Sequence, residues 1–161
     1  MLLRKRAWDM MHEDFATVDE SASLAEAIRL LRDSMKTAPD NNIVVVKKKN
    51  GSLKGVASIW TMLKAVEEKV LKDEDLRLDE NTDWDRAFKR AGTACSHSSL
   101  DEHIETDIPI LNPRDPMLVV LELFRKKHRS WALVQEGGSI IGVVLISDVY
   151  RELTRDLVTQ F

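Results

Sequence analysis

Leu53-Lys54-Gly55-Val56-Ala57-Ser58, followed at once by a helix-patterned run from Ile59 to about Leu71, decides how this chain folds. The phrase returns as Ile140-Ile141-Gly142-Val143-Val144, ahead of a second helical run from Asp148 to about Leu157. Each is short, apolar and built around a glycine, the pattern of a strand buried on both faces. A second strand-like stretch precedes each one, Ile43-Val44-Val45-Val46 and Trp131-Ala132-Leu133-Val134. The turn between them is marked by Asn50-Gly51 in the first case and Gly137-Gly138 in the second. Farther upstream lie periodic apolar runs, Leu24 to Met35 and Met117 to about Lys127. Before these come extended segments, Phe15-Ala16-Thr17-Val18-Asp19 and Ile108-Pro109-Ile110-Leu111-Asn112. Strand, helix, strand, strand, helix therefore occurs twice, and the chain is an internal repeat.

The register of the repeat drifts along its length. The extended segments match at an offset of 93 residues, the central strands at 88 and the two glycines at 87. The first copy thus carries a helix-to-strand link five residues longer, around 35–42. Ser23-Leu24-Ala25-Glu26 has capping-box spacing, and Leu24, Ala27, Ile28 and Leu31 share one helical face. Asp115-Pro116 reads as a cap followed by proline at the first helical position. Between the copies, Thr82-Asp83-Trp84-Asp85 starts a short helix expected to run to Ala91 and stop at Gly92. Trp84, Ala87, Phe88 and Ala91 would form its apolar face.

Composition removes whole classes of function. The 161 residues carry 24 Lys and Arg against 27 Asp and Glu, too balanced for a protein that neutralises a run of duplex phosphates. Charge is uneven, with 13 acidic and 6 basic residues from Glu67 to Asp107. Cys95 is the only cysteine, so there is neither an intrachain disulfide nor a zinc ribbon. Met1-Leu2-Leu3-Arg4-Lys5-Arg6 turns charged at once and no stretch approaches about 20 apolar residues, which predicts a cytoplasmic chain with no membrane contact. Nucleophile elbows, phosphate-binding glycine loops and zinc-hydrolase pairs are missing, so no enzyme is read here and no catalytic residue is assigned. Cys95, His97, Asp101 and His103 lie close in sequence without the spacing of a zinc site, and no metal is expected. His12 reads as a surface residue, and Trp8, Trp60 and Trp131 as packing residues. Nucleic acid has only Arg4-Lys5-Arg6 and the 125–129 stretch in its favour.

The two copies resemble the CBS domain, and together they are similar to the tandem pair called a Bateman module. The residues that carry the likeness are the Trp8-Asp9-Met10-Met11 lead-in before Phe15-Ala16-Thr17-Val18, the Leu24-Ala25-Glu26-Ala27 helix start, and the paired glycine-centred strands. The resemblance implies an α+β fold: two β-α-β-β-α repeats packed with pseudo-two-fold symmetry, with a helical insertion between them. Its boundaries are 8–71 for the first repeat, 72–98 for an acidic, partly helical segment, and 99–158 for the second. It also implies a homodimer and a regulatory adenosyl ligand, AMP, ADP, ATP or S-adenosylmethionine, with no cofactor required.

In that family the cleft motif runs glycine, two apolar residues, Ser or Thr, two variable residues, Asp. The first copy reads Gly55-Val56-Ala57-Ser58-Ile59-Trp60-Thr61, keeping the hydroxyl at Ser58 and replacing the ribose-binding acid with Thr61. The second reads Gly142-Val143-Val144-Leu145-Ile146-Ser147-Asp148, keeping Asp148 and replacing the hydroxyl with Leu145. A carboxylate can accept from both ribose hydroxyls in strong charge-assisted bonds, so the Asp148 cleft is the better nucleoside site. Helix capping is the plainer role for both Ser58 and Asp148. By family position, Ala16, Thr17, Pro109 and Ile110 would face the adenine, and His128 and Arg129 a phosphate. Two functions follow: a non-catalytic sensor that binds an adenosine-containing ligand between the repeats and signals through dimer or partner geometry, or a ligand-free scaffold for protein interaction and assembly.

Overall fold

The structure is a computed structural model and describes residues 4–71 and 83–161. Its first element is a single turn of helix, α1 (Ala7–Met10). The first repeat then gives β1 (Thr17–Asp19), α2 (Leu24–Ser34), β2 (Ile43–Lys47), β3 (Leu53–Ser58) and α3 (Ile59–Leu71). An intervening helix, α4 (Trp84–His97), leads through a 3-10 turn at Leu100–His103 into the second repeat. This comprises β4 (Ile110–Leu111), α5 (Met117–Lys127), β5 (Trp131–Glu136), β6 (Ser139–Leu145) and α6 (Ile146–Leu157). Each repeat makes one three-stranded sheet, β1-β2-β3 and β4-β5-β6, with its first pair parallel and its second antiparallel. The α+β architecture and the tandem duplication stand as the residues indicated.

The unbroken apolar runs of β2 and β5 have a physical cause. Successive side chains of a strand point to opposite faces, and here both faces are covered. Ile43, Val45 and Val56 meet Trp131, Leu133, Val143 and Leu145 in a core between the two sheets. Their neighbours Val44, Val46 and Ala57 turn outward under α2 and α3, while Ala132, Val134 and Val144 turn under α5 and α6. Ser23 and Glu26 close the expected capping box on α2.

The repeats trade their leading segments. Ala7 and Met10 of α1 are buried with Leu111, Met117 and Val120 of the second repeat, and Ala7 donates its N–H to the Asp115 carbonyl at 2.9 Å. In the same way Cys95 and Leu100 are buried with Leu24, Ala27 and Leu31 of the first repeat, and Leu24 donates to the Ser98 carbonyl at 3.1 Å. Each half of the molecule is thus held by chain that sequence order places with the other.

Four local expectations are corrected. α4 passes through Gly92 and ends at His97, because Ala87, Ala91 and Cys95 continue a buried stripe against α2 and α3. That packing outweighs the roughly 1 kcal/mol helix cost of one glycine. Trp84 and Phe88 stay outside the stripe and are exposed. α5 begins at Met117 with Pro116 as its cap residue, because the Asp115 carboxylate accepts the Asn112 N–H instead. Trp131 is buried, but Trp8 and Trp60 are 53% and 76% exposed. The 72–82 part of the acidic segment lies outside the described residues.

Candidate functional site

The glycine-centred strands end against two backbone straps. Val143, next to Gly142, exchanges both backbone hydrogen bonds with His12, at 2.8 and 3.0 Å. Val56, next to Gly55, does the same with Glu105, at 2.9 and 2.8 Å. The glycines make this approach possible. A side chain at Gly55 would sit 2.6 Å from the Glu105 carbonyl oxygen, and one at Gly142 would sit 2.7 Å from the Met11 sulfur. The backbone space beside Gly142, assigned by the sequence to a ligand cleft, is therefore filled by Met11.

Asp148 sits in the first turn of α6 and does not cap it; Leu145 is the cap residue and makes no side-chain cap bond. The Asp148 side chain, 18% exposed, has both oxygens engaged. Oδ2 meets His12 Nε2 at 2.5 Å and Oδ1 accepts from an Arg151 guanidinium nitrogen at 2.8 Å. His12, read as a plain surface residue, is thus a partner of the candidate ribose acid. In the first copy Ser58 and Thr61 spend their hydroxyls on each other's turn. Ser58 N–H donates to Thr61 Oγ1 at 2.9 Å, Thr61 N–H donates to Ser58 Oγ at 3.3 Å, and the Thr61 hydroxyl donates to the Ser58 carbonyl at 2.9 Å. Ser58 is buried and caps the start of α3.

The remaining candidates occupy paired places. Ala16 and Pro109 are both buried, and their carbonyls accept from Val45 and Leu133 in the middle of β2 and β5 at 2.9 Å. Thr17 and Ile110 follow them on exposed positions. His128 takes a left-handed conformation (φ 50°) that closes α5 through its N–H to the Phe124 carbonyl. With Arg129 it lines a groove of about 540 Å³ shared with Leu121, Phe124, Arg125, Ser130 and Ile146, a groove that Asp148 does not line. Arg129 Nε also lies 3.3 Å from Glu105 Oε2, and both atoms are shielded from solvent. Nearby, the Lys127 ammonium 2.7 Å from Asp107 holds that carboxyl below the ordinary range, and the Arg129 charge adds to the effect. Cys95, in the α4 core, has its thiol pushed up by burial. Among the described residues, no group of three or more His, Cys, Asp or Glu is placed to hold a metal ion.

Comparison with known proteins places this geometry. The family model for the CBS domain matches residues 7–68 and 101–155. The chain belongs to the CBS-domain family. Among solved structures, this CBS pair is similar to a CBS domain-containing protein of unknown function from Bacillus anthracis, with TM-score 0.69 and 18% identity over 96% of each chain. It is similar to the CBS domain pair of protein MJ0100 in complex with 5-methylthioadenosine and S-adenosyl-L-methionine, with TM-score 0.66 and 16% identity over 94% of this chain and 98% of that one. It is also similar to the cytosolic domain of the Mg2+ channel MgtE in complex with ATP, with TM-score 0.63 and 18% identity over 90% of this chain and 47% of that one. A comparison with curated proteins finds no match. CBS-domain proteins are in general regulatory, not catalytic. Among the described residues no helix is long and apolar enough to cross a membrane.

The residues that sequence reasoning missed are His12 and Glu105. The signal for them was present: positions 12 and 105 are related by the same 93-residue offset as the extended segments. Projecting that offset three residues upstream of Phe15 pairs them.

Proposed function

We propose that this CBS pair is a non-catalytic regulatory module that binds an adenosine-containing ligand beside Asp148 and signals through dimer or partner geometry. The observation that carries the reading is the state of that carboxylate. Asp148 does not cap the helix backbone and, among the described residues, is held by two side chains, His12 and Arg151. A ribose diol can exchange with such partners without unravelling the helix, whereas the Ser58 and Thr61 hydroxyls of the first copy are tied into backbone. The adenosyl ligands of the MJ0100 and MgtE structures support the class of ligand, AMP, ATP or S-adenosylmethionine.

Isothermal titration of nucleotide-stripped protein at physiological salt tests it. Binding of one of these three ligands at micromolar concentration, weakened by about 1–3 kcal/mol in Asp148→Ala, is the expected result. No heat and no thermal stabilisation at millimolar ligand would leave the scaffold as the function. One observation favours an assembly role in its own right. Both helical layers expose apolar side chains, Trp60 and Leu63 on α3, and Leu118, Leu121, Ile146 and Tyr150 on α5 and α6, with Leu63 and Tyr150 at equivalent positions of the repeat. Between α2 and α3 lies an apolar groove of about 450 Å³, floored by Leu31 and Met62. These faces suit a homodimer, under either reading.

A further inference from the structure

The two straps carry different side chains at equivalent positions, and each side chain has gone to a charge that ligand recognition would use. His12 engages Asp148, and Glu105 engages Arg129. The second contact bears on ligand chemistry. A guanidinium recognises phosphate through its planar fork of donors, and the base that would face a phosphate here is Arg129. Its Nε is instead 3.3 Å from the Glu105 carboxylate, an ion pair of two buried atoms with no hydrogen bond between them, and Asp107 adds a second acid close enough to feel its charge. The Glu105 main chain is held in place, since its N–H and C=O are both paired with Val56 of β3, so the carboxylate stays within side-chain reach of Arg129. An arriving phosphate would have to displace this carboxylate or lie against a charge of its own sign. A ligand that ends in a neutral or cationic group meets no such conflict.

We propose that Glu105 is a specificity-determining residue: its carboxylate stands on Arg129 where a phosphate would bind, and so turns the module toward adenosyl ligands that carry no phosphate. This rests on the adenosyl-binding reading above for the class of ligand, but the exclusion of phosphate by Glu105 can be measured without it.

The experiment uses the full chain with inorganic pyrophosphate as probe, in the absence of divalent cations, read by thermal unfolding. Wild-type protein is expected to show no shift at millimolar pyrophosphate. Glu105→Gln, which keeps the side-chain shape and the backbone pairing, is expected to gain a saturable stabilisation, and the Glu105→Gln/Arg129→Gln double variant to lose it. Glu105→Ala serves as the second carboxylate-free variant should Glu105→Gln unfold, and is expected to gain the same response. Titration of adenosine and AMP then reads selectivity: the preference for AMP over adenosine should rise at least about tenfold in Glu105→Gln with adenosine affinity unchanged, on the scale of one charged hydrogen bond. Equal pyrophosphate responses in wild type and variant, or a gain that persists without Arg129, would overturn the assignment. Failure of every variant to bind either nucleoside would overturn the adenosyl-binding reading alone, because the pyrophosphate response judges Glu105 separately.

Discussion

Replacing Gly55 with alanine should be among the most damaging single-methyl additions this fold can receive. The added Cβ would lie 2.6 Å from the Glu105 carbonyl oxygen and 3.0 Å from Ile104 Cδ1. Close carbon-to-oxygen contacts in proteins run at about 3.3–3.6 Å, so the strap must retreat by more than half an ångström. That retreat strains the two hydrogen bonds joining Val56 and Glu105, each worth about 1 kcal/mol net. Overpacking of a filled site adds about 1–3 kcal/mol, for a total near 2–4 kcal/mol. For a chain of this size such a loss lowers the melting temperature by about 5–15 °C. Gly142 supplies the comparison. Its added Cβ would meet Met11 at 2.7 Å from the sulfur and 2.9 Å from Cβ and Cγ. The thioether end can swing aside, though Met11 Cβ is fixed to the strap, so the cost should be smaller, about 1–2 kcal/mol. Gly92 is the control, since an added Cβ meets nothing within 4 Å inside α4. Gly92→Ala should stabilise by about 0.5–1 kcal/mol. Urea unfolding followed by circular dichroism reads all three as midpoints at constant slope. A Gly55→Ala midpoint at or above wild type, or above that of Gly142→Ala, would refute the claim that the straps are pinned against the glycines.

Two further outcomes are expected. Lys54 bridges Glu20 at 3.0 Å and Asp101 at 2.7 Å, tying β3 to the turn that opens the second repeat. The Lys54 ammonium and the Lys49 N–H hold the Glu20 carboxyl below its ordinary range, and the hydroxyl and backbone N–H of Ser21 do the same for Asp19. Folded-state values below the unfolded ones give stability that is present at neutral pH and lost as pH falls through the folded values. Lys54, raised by Asp101 and Glu20, keeps its contribution up to and through the ordinary lysine range. Melting temperature should therefore be flat near neutrality and fall below about pH 4, less steeply in Glu20→Gln; equal slopes in the two proteins would count against the bridge. For the helical faces, light scattering should show a dimer for wild type and a monomer for Leu63→Glu or Tyr150→Glu, and a wild-type monomer at high concentration would dispose of the homodimer.

What the sequence made legible is what repeats with a period. The glycine-centred strands and the central valine runs of β2 and β5 announce elements buried on both faces, and α3 and α5 occupy the expected 59–71 and 117–127. Spacing within one copy reaches no farther than that copy, however. The exchange of α1 and the 95–100 segment between repeats depends on apolar residues whose partners lie about a hundred positions away for α1 and about seventy for 95–100, and no local pattern names the partner. Gly92 misled because a glycine marks a helix end only where packing does not continue past it, and Cys95 continues it here. Trp60 falls at a packing position of the repeat, yet the described residues leave it in solvent, because its place on the α3 surface meets no partner among them. The site was harder still. Motif reading placed Asp148 and Ser58 but could not see that Ser58 is spent on Thr61 while Asp148 is held by a histidine from the far end of the chain.

The difference between positions 12 and 105 shows how a duplicated fold can lose the equivalence of its sites without losing its symmetry. The backbone requirement at both positions is identical, two hydrogen bonds to the residue after a glycine, and any residue with a backbone N–H satisfies it. The side chain is therefore free to vary, and in both straps it reaches a charge of the second repeat. A histidine can pair with the carboxylate of Asp148, and a glutamate can pair with the guanidinium of Arg129, so both charges are compensated with no ligand present. Such compensation lowers the cost of keeping partly buried charges in the unliganded protein, and it sets the same amount of free energy against any ligand that needs them. In the proposed sensor, ligand selectivity is then decided as much by what the straps must release as by what the clefts offer.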